Sequence, residues 1–180
     1  LKKQGRDLAS CKNYQKQKKR VAKIYRKISN KREDFRHKLS RSLVNSFAFI
    51  ALEDLNVRGM LKNHCLARGV SESAWSDFVH KVQYKAAWAG KTVVLVDRWF
   101  ASTSTCSCCG SKSGPRGYSD LGVRKWVCPE CGATLDRDLN AAWNVLFEGL
   151  RVVSVDDEGN RTVWFSVLEL LRSRFEAEVH

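Results

Sequence analysis

No stretch of this 180-residue sequence is apolar for long enough to cross a bilayer, and nothing near its start reads as a signal peptide. Membrane-spanning proteins and small secreted disulfide frameworks are therefore excluded, and the cysteines have to be explained in a reducing compartment. Residues 1 to 41 contain no proline and one glycine, Gly5, so little there would interrupt a helix. Acidic residues are equally scarce in that segment: Asp7, Glu33 and Asp34 face sixteen Lys or Arg, while the rest of the chain sums to zero, so the whole net charge of +13 lies in one place. Histidine offers no metal site, because His37, His64, His80 and His180 have no partner at ligand spacing. The sole methionine is Met60 and the first residue is Leu1, so the sequence reads as a piece of a longer product. What remains is 43% apolar, enough for one core and a small metal-stapled module.

From Val21 onward the basic segment places Ile24, Ile28, Phe35, Leu39 and Leu43 at helical spacing, a stripe expected to face a core. A helix from about Leu8 to Asn45 would be roughly 55 Å long, with Ser29 and Asn30 the place for a break. A charge run is ordinarily a solvated face. Sixteen cations against three anions exceed what solubility requires and point to phosphate, with Lys12, Lys16, Lys18, Lys19, Arg20, Lys23, Arg26, Lys27, Lys31 and Arg32 as the candidate contacts.

Cysteine is where the sequence is most explicit. Cys106 and Cys109 form one C-x2-C pair and Cys128 and Cys131 another, each followed by a glycine, Gly110 and Gly132. A two-residue gap lets both thiolates turn toward one ion, and four thiolates in two such knuckles fit a closed, tetrahedral, structural Zn2+ site. Cys108 lies too close to its neighbours for the usual chelate, and Cys11 and Cys65 fall outside both pairs.

Between the basic segment and the cysteines, Phe47 to Leu52 reads as a buried strand with Glu53 and Asp54 at its carboxyl end. Gly59 to Gly69 reads as a loop. Ser71 or Ser73 would then cap a helix through Trp75, Phe78, Val79, Val82, Ala86 and Ala89 that stops at Gly90. A second strand, Val93 to Val96, ends at Asp97, and strand, helix and strand of this size imply a parallel βαβ unit. After the cysteines, Asp138 is a good N-cap for a helix whose inner face is Leu139, Ala142, Val145 and Leu146. Asp136, Asp138 and Asn140 are nevertheless denser in polar groups than a cap requires.

The order EDLNV, VVLVDRWF, CxxCG, CPECG and DRDLNAAWN resembles the TnpB family, transposon-encoded probable transposases similar to type V CRISPR nucleases; the resemblance covers about residues 6 to 147. It implies an α/β, RNase H-like (RuvC-like) domain, here partial, with an inserted four-cysteine zinc ribbon and a long basic N-terminal helical segment. It also implies an RNA-guided DNA endonuclease in which three carboxylates hold two Mg2+ or Mn2+ ions, with DNA and a guide RNA as partners and no membrane. The family's middle glutamate falls on Glu53, its last aspartate on Asp138, and Asp136 becomes a neighbour. Its first aspartate belongs to a GxDxG-like motif that does not occur in this sequence, so the chain alone is expected to bind and not to cut.

The division that follows is 1–46 basic helical segment, 47–101 with 134–150 nuclease domain, 102–133 zinc ribbon and 151–180 a C-terminal appendage. In the last of these RVVSV, DDEGN and RTVWF read as a hairpin around Gly159, and SVLELLRSRF as a short helix. Two other functions fit the same features: a catalytically inactive zinc-ribbon module that binds nucleic acid, and an RNase H-like cut-and-paste transposase.

Overall fold

The computed structural model describes residues 11–117, 120, 122–155 and 162–179, so Leu8 and Gly159 lie outside the described residues. Helix α1 runs unbroken from Lys12 to Ser46, about 50 Å at ~1.5 Å per residue, and passes straight through Ser29 and Asn30. Its last turns deliver the core: Val44 is fully buried, with Leu43 beside it, against Ile50, Val82 and Ala86. The stripe expected to face a core does so only there. Ile24, Ile28, Phe35 and Leu39 are exposed: Phe35 and Leu39 only border an open groove with Trp75 and Phe78 of helix α4 (Trp75–Trp88), and residues 16–32 include no buried position.

Strand β1 (Phe49–Glu53) pairs in parallel with β2 (Thr92–Val96), with Ile50 opposite Val93 and Glu53 opposite Val96. The amide of Asp54 extends the ladder by donating to the Val96 carbonyl at 3.1 Å. The strands begin and end close to the expected limits, and the expected βαβ order holds. They are less buried than expected, since a sheet of two strands among the described residues covers little of its own surface.

The expected loop is instead two helices, α2 (Val57–Met60) and α3 (His64–Ser73). Asn56 accepts from the Gly59 amide and Asn63 from the Cys65 amide, which supplies each helix with the acceptor that its first turn needs. Ser71 and Ser73 therefore lie inside α3 and cap nothing that follows. The turn into α4 (Trp75–Trp88) is made by Ala74 at φ +47°, with no side-chain cap. Helix α4 buries Val79, Val82 and Ala86 as expected and stops just before Gly90.

Strands β3 (Lys125–Val127) and β4 (Thr134–Asp136) form an antiparallel hairpin, with Trp126 opposite Leu135. Helix α5 (Arg137–Val153) follows immediately and packs on both β1 and β2. Its buried face is Asn140, Asn144, Val145, Phe147, Gly149 and Leu150, whereas Leu139 and Ala142 are exposed. The expected hairpin falls largely on residues 156–161, outside the described residues; at its described edges Val155 forms a bridge and the Thr162 amide donates to the Ser154 carbonyl at 2.8 Å. Arg151 to Val153 close α5, and Val163 to Phe165 open α6 (Val163–Val179), which returns along α5. Trp143, Phe147 and Phe175 pack ring on ring at 4.9 to 5.7 Å between centroids, and Trp164 reaches Phe49 at 5.0 Å, so the C-terminal segment joins the core.

Gly149 lets α5 approach the sheet: a Cβ there would lie 2.7 Å from the Ala51 Cβ. Gly149→Val should cost about 1–3 kcal/mol of stability by overpacking. Gly69→Ala in α3, where a Cβ meets nothing within 4 Å, should be neutral or stabilising. Thermal unfolding of both variants checks the contrast.

Candidate metal centre and carboxylate site

The two knuckles are built alike. In the first, the Gly110 amide donates to the Cys106 carbonyl and the Cys106 amide to the Ser111 carbonyl. In the second, Gly132 and Cys128 repeat the pattern with Cys128 and Ala133. Both turns need a positive φ, +76° at Gly110 and +73° at Gly132, a conformation that costs glycine almost nothing. One sulfur of each pair faces one of the other: Cys106 to Cys131 at 3.8 Å and Cys109 to Cys128 at 3.6 Å. All four sulfurs lie within 4.8 Å of one another. Disulfides would need about 2.05 Å. A tetrahedron with metal–sulfur bonds of about 2.3 Å has edges of about 3.8 Å, so the spacing is that of four thiolates around one ion, and the cluster could bind a metal such as zinc.

The electrostatics agree with that geometry. Burial resists ionisation of Cys128, but the Ser111 and Ser113 hydroxyls and the Cys131 and Glu130 amides prevail and lower its thiol to about 5. The Ala133 amide favours the Cys131 thiolate, yet burial and the three neighbouring sulfurs push that thiol up. Burial also pushes up Cys106. Four thiolates this close need a cation to offset their repulsion.

The module is locked to the rest of the chain by two asparagines of α5. Asn140, 1% exposed, accepts from the Ser107 amide at 2.8 Å and donates to the Thr105 carbonyl at 2.8 Å. Asn144 donates to the Ser102 and Thr105 carbonyls at 2.8 and 2.7 Å. Ser102 in turn donates its hydroxyl to Glu53 Oε1 at 2.7 Å, and Trp75 Nε1 donates to the Glu53 carbonyl at 3.3 Å. Glu53 is thus held at the end of β1 by side chains on two other segments. Sequence reasoning missed Ser102, Trp75 and Asn144. The asparagines were visible as polar residues four apart among the apolar residues of the helix, but their partners were not.

The other carboxylates separate by role. Asp136, and not Asp138, caps α5: its Oδ1 accepts from the amides of Asp138 at 3.0 Å and Leu139 at 3.1 Å. Asp138 lies in the first helical turn with its side chain 76% exposed; among the described residues its ion-pair partner is the exposed Arg124 at 3.3 Å, a pair of little energetic weight. Asp54 pairs with Arg98 beyond the strand end, and Asp97 Oδ1 accepts from the Trp99 amide at 2.7 Å. Glu53 and Asp138 belong to no converged group of three metal-ligand side chains among the described residues.

All ten basic candidates on α1 are exposed, and among the described residues only Arg32 has an ion-pair partner, Glu72 at 3.4 Å. His37, His64 and His80 are exposed and lie outside any metal cluster.

Cys128→Ser should abolish stoichiometric metal binding by the purified chain, measured by elemental analysis against one ion per wild-type molecule. Asn140→Ala should retain the metal yet lower stability by about 1–3 kcal/mol, because it strands the buried Ser107 amide. Loss of metal in both, or in neither, would contradict this division of labour.

Two family models match the chain: "Probable transposase" over residues 1–64 and "Cas12f1-like, TNB domain" over residues 75–145. A Streptomyces pristinaespiralis protein named "Putative RNA-guided DNA endonuclease" is 43% identical over 145 residues, 81% of this chain and 35% of the relative. A TnpB-like protein of Acanthamoeba polyphaga mimivirus is 33% identical over 138 residues, 73% of this chain and 25% of its own. One from Methanocaldococcus jannaschii is 30% identical over 133 residues, 73% and 30%. The chain spans about a third or less of the length of these relatives. On the two family models and these relatives, the chain belongs to the TnpB-like family of transposase-associated proteins.

Proposed function

We propose that this chain is the C-terminal, RuvC-like part of a longer RNA-guided DNA endonuclease, with its zinc ribbon inserted between β2 and β4. The observation that carries the reading is the division of roles between two aspartates two residues apart. Asp136 is consumed as the helix cap, which leaves the Asp138 carboxylate with no structural duty on the same helix that packs against the Glu53 strand. A carboxylate held at the end of a parallel strand and another left open at the start of the packed helix are the hard oxygen donors that Mg2+ or Mn2+ requires. When bound, such ions supply an activated water and neutralise charge on the leaving oxygen of a phosphodiester.

The chain's own residues have three tasks in this scheme. Glu53, fixed by Ser102, and Asp138 supply two of the three carboxylates, and the upstream segment of the parent would supply the third. Four cysteines around Zn2+ fix the β3–β4 hairpin, whose last residue is the Asp136 cap, so the structural ion determines where Asp138 begins its helix. The exposed cations of α1 grip DNA and the guide RNA by their phosphates, reading shape and not sequence. The boundaries 1–46, 47–101 with 134–150, and 102–133 follow these tasks; 151–180 supports α5 and is given no separate role. A binding module without catalysis would need none of the arrangement that frees Asp138.

In the longer parent protein, Glu53→Gln or Asp138→Asn should abolish guided DNA cleavage in Mg2+ while leaving nucleic-acid binding within a few-fold of wild type. Asp136→Asn should be milder, since asparagine still caps a helix. Cleavage by Asp138→Asn at the wild-type rate, or by the isolated chain, would defeat the assignment. For the isolated chain, duplex affinity should fall steeply with salt, and each α1 phosphate contact removed should lower the logarithmic slope by about 0.9. A salt-independent affinity would return the basic helix to a solvated face.

A further inference from the structure

The C-terminal half of α1 and the last turns of α4 enclose an open groove of about 660 Å³, a size typical of ligand sites. Its lining combines two chemistries. One is cationic: Lys38, Arg41 and Lys85, with Ser42 and Asn45 as further hydrogen-bonding groups. The other is aromatic: Tyr84 and Trp88, the end of a row in which His80 meets Tyr84 at 5.6 Å and Tyr84 meets Trp88 at 4.8 Å.

Lys85 is the unusual member. It is only 4% exposed, and its Nζ donates to the His37 carbonyl at 2.6 Å and to Ser40 Oγ at 2.7 Å, with no carboxylate partner among the described residues. Lys81, one turn earlier, is as buried but is neutralised by Asp77 and by Glu33. Burial, with Arg41 and Lys81 nearby, pushes the Lys85 ammonium down from its ordinary value. Arg41 likewise has no ion-pair partner among the described residues. An uncompensated buried cation is costly unless an anion arrives. Trp88, 77% exposed, presents a large aromatic surface beside it, with only the edge-on Tyr84 ring against it among the described aromatic contacts.

We infer that this groove holds one unstacked nucleotide of a single strand, its phosphate against Arg41 and Lys85 and its base on Trp88. Cations alone would suit a duplex, and an aromatic face alone would suit a protein partner. The two side by side suit a strand whose bases are free to stack. This inference rests on the nucleic-acid reading above and adds to it a site, α4, that lies outside the basic stripe.

The test uses the chain itself, with fluorescently labelled oligothymidylate and oligouridylate and a DNA duplex of equal length, read by anisotropy. Trp88→Ala should weaken single-strand binding about tenfold, within the range for loss of one stacked base. Trp88→Phe should restore most of it, and duplex affinity should stay within twofold. Arg41→Gln should lower the single-strand salt slope by about 0.7. The larger loss, on thymidylate or on uridylate, identifies DNA or RNA as the occupant. Trp88→Ala binding single strands like wild type, or weakening single strand and duplex equally, overturns the groove while salt-dependent duplex binding leaves the broader reading standing. Absence of any nucleic-acid binding removes both.

Discussion

The rest of this structure depends on the hydrogen bonds that Asn140 and Asn144 send from one face of α5 into the segment 102–107. They are made in a buried setting, where an unmatched amide costs more than a matched one contributes, so the geometry is enforced and not merely permitted. Through Asn144 and Ser102 the helix reaches Glu53; through Asn140 it reaches the first cysteine knuckle; through its cap it is continuous with the second. The four-sulfur cluster is therefore mechanically joined to a carboxylate at a strand end.

A second constraint is the imbalance within α1. Its last turns are core, while residues 16–32 are exposed on every side, carrying apolar and cationic residues alike into solvent. Among the described residues, its N-terminal half has no buried position. One four-residue ion-pair cluster secures the region where it crosses α4: Arg36 and Lys81 each pair with both Glu33 and Asp77. These carboxylates are held below their usual range, with Lys81 and Arg36 as the counter-charges. The acids are thus spent on anchoring, and of the ten candidate cations farther out only Arg32 has an ion-pair partner among the described residues.

The sequence was most legible where the determinant is local. Chelation by C-x2-C needs only two residues and a turn, so Cys106, Cys109, Cys128 and Cys131 could be read directly, as could the two short apolar strands and the helix between them. It was least legible where the outcome depends on a distant partner. Periodicity revealed that Ile24, Ile28, Phe35 and Leu39 share a face but not that the described residues leave it exposed. Asp136 and Asp138 are both acceptable caps, and only the end of β4 decides between them. Gly59 and Gly69 suggested a loop, yet Asn56 and Asn63 supply helix caps on either side of a short link. The β-branched pair Val152 and Val153 suggested a strand, but packing of α5 against α6 overrides that preference.

The central claim is that Glu53 and Asp138 converge on divalent metal in the assembled parent protein. Anomalous scattering from crystals of that parent soaked in Mn2+ tests it without reference to turnover. The account predicts density for manganese within bonding distance of both carboxylates, well separated from zinc at the four cysteines. Manganese bound elsewhere with these two carboxylates bare, or on Asp136 in place of Asp138, would contradict it.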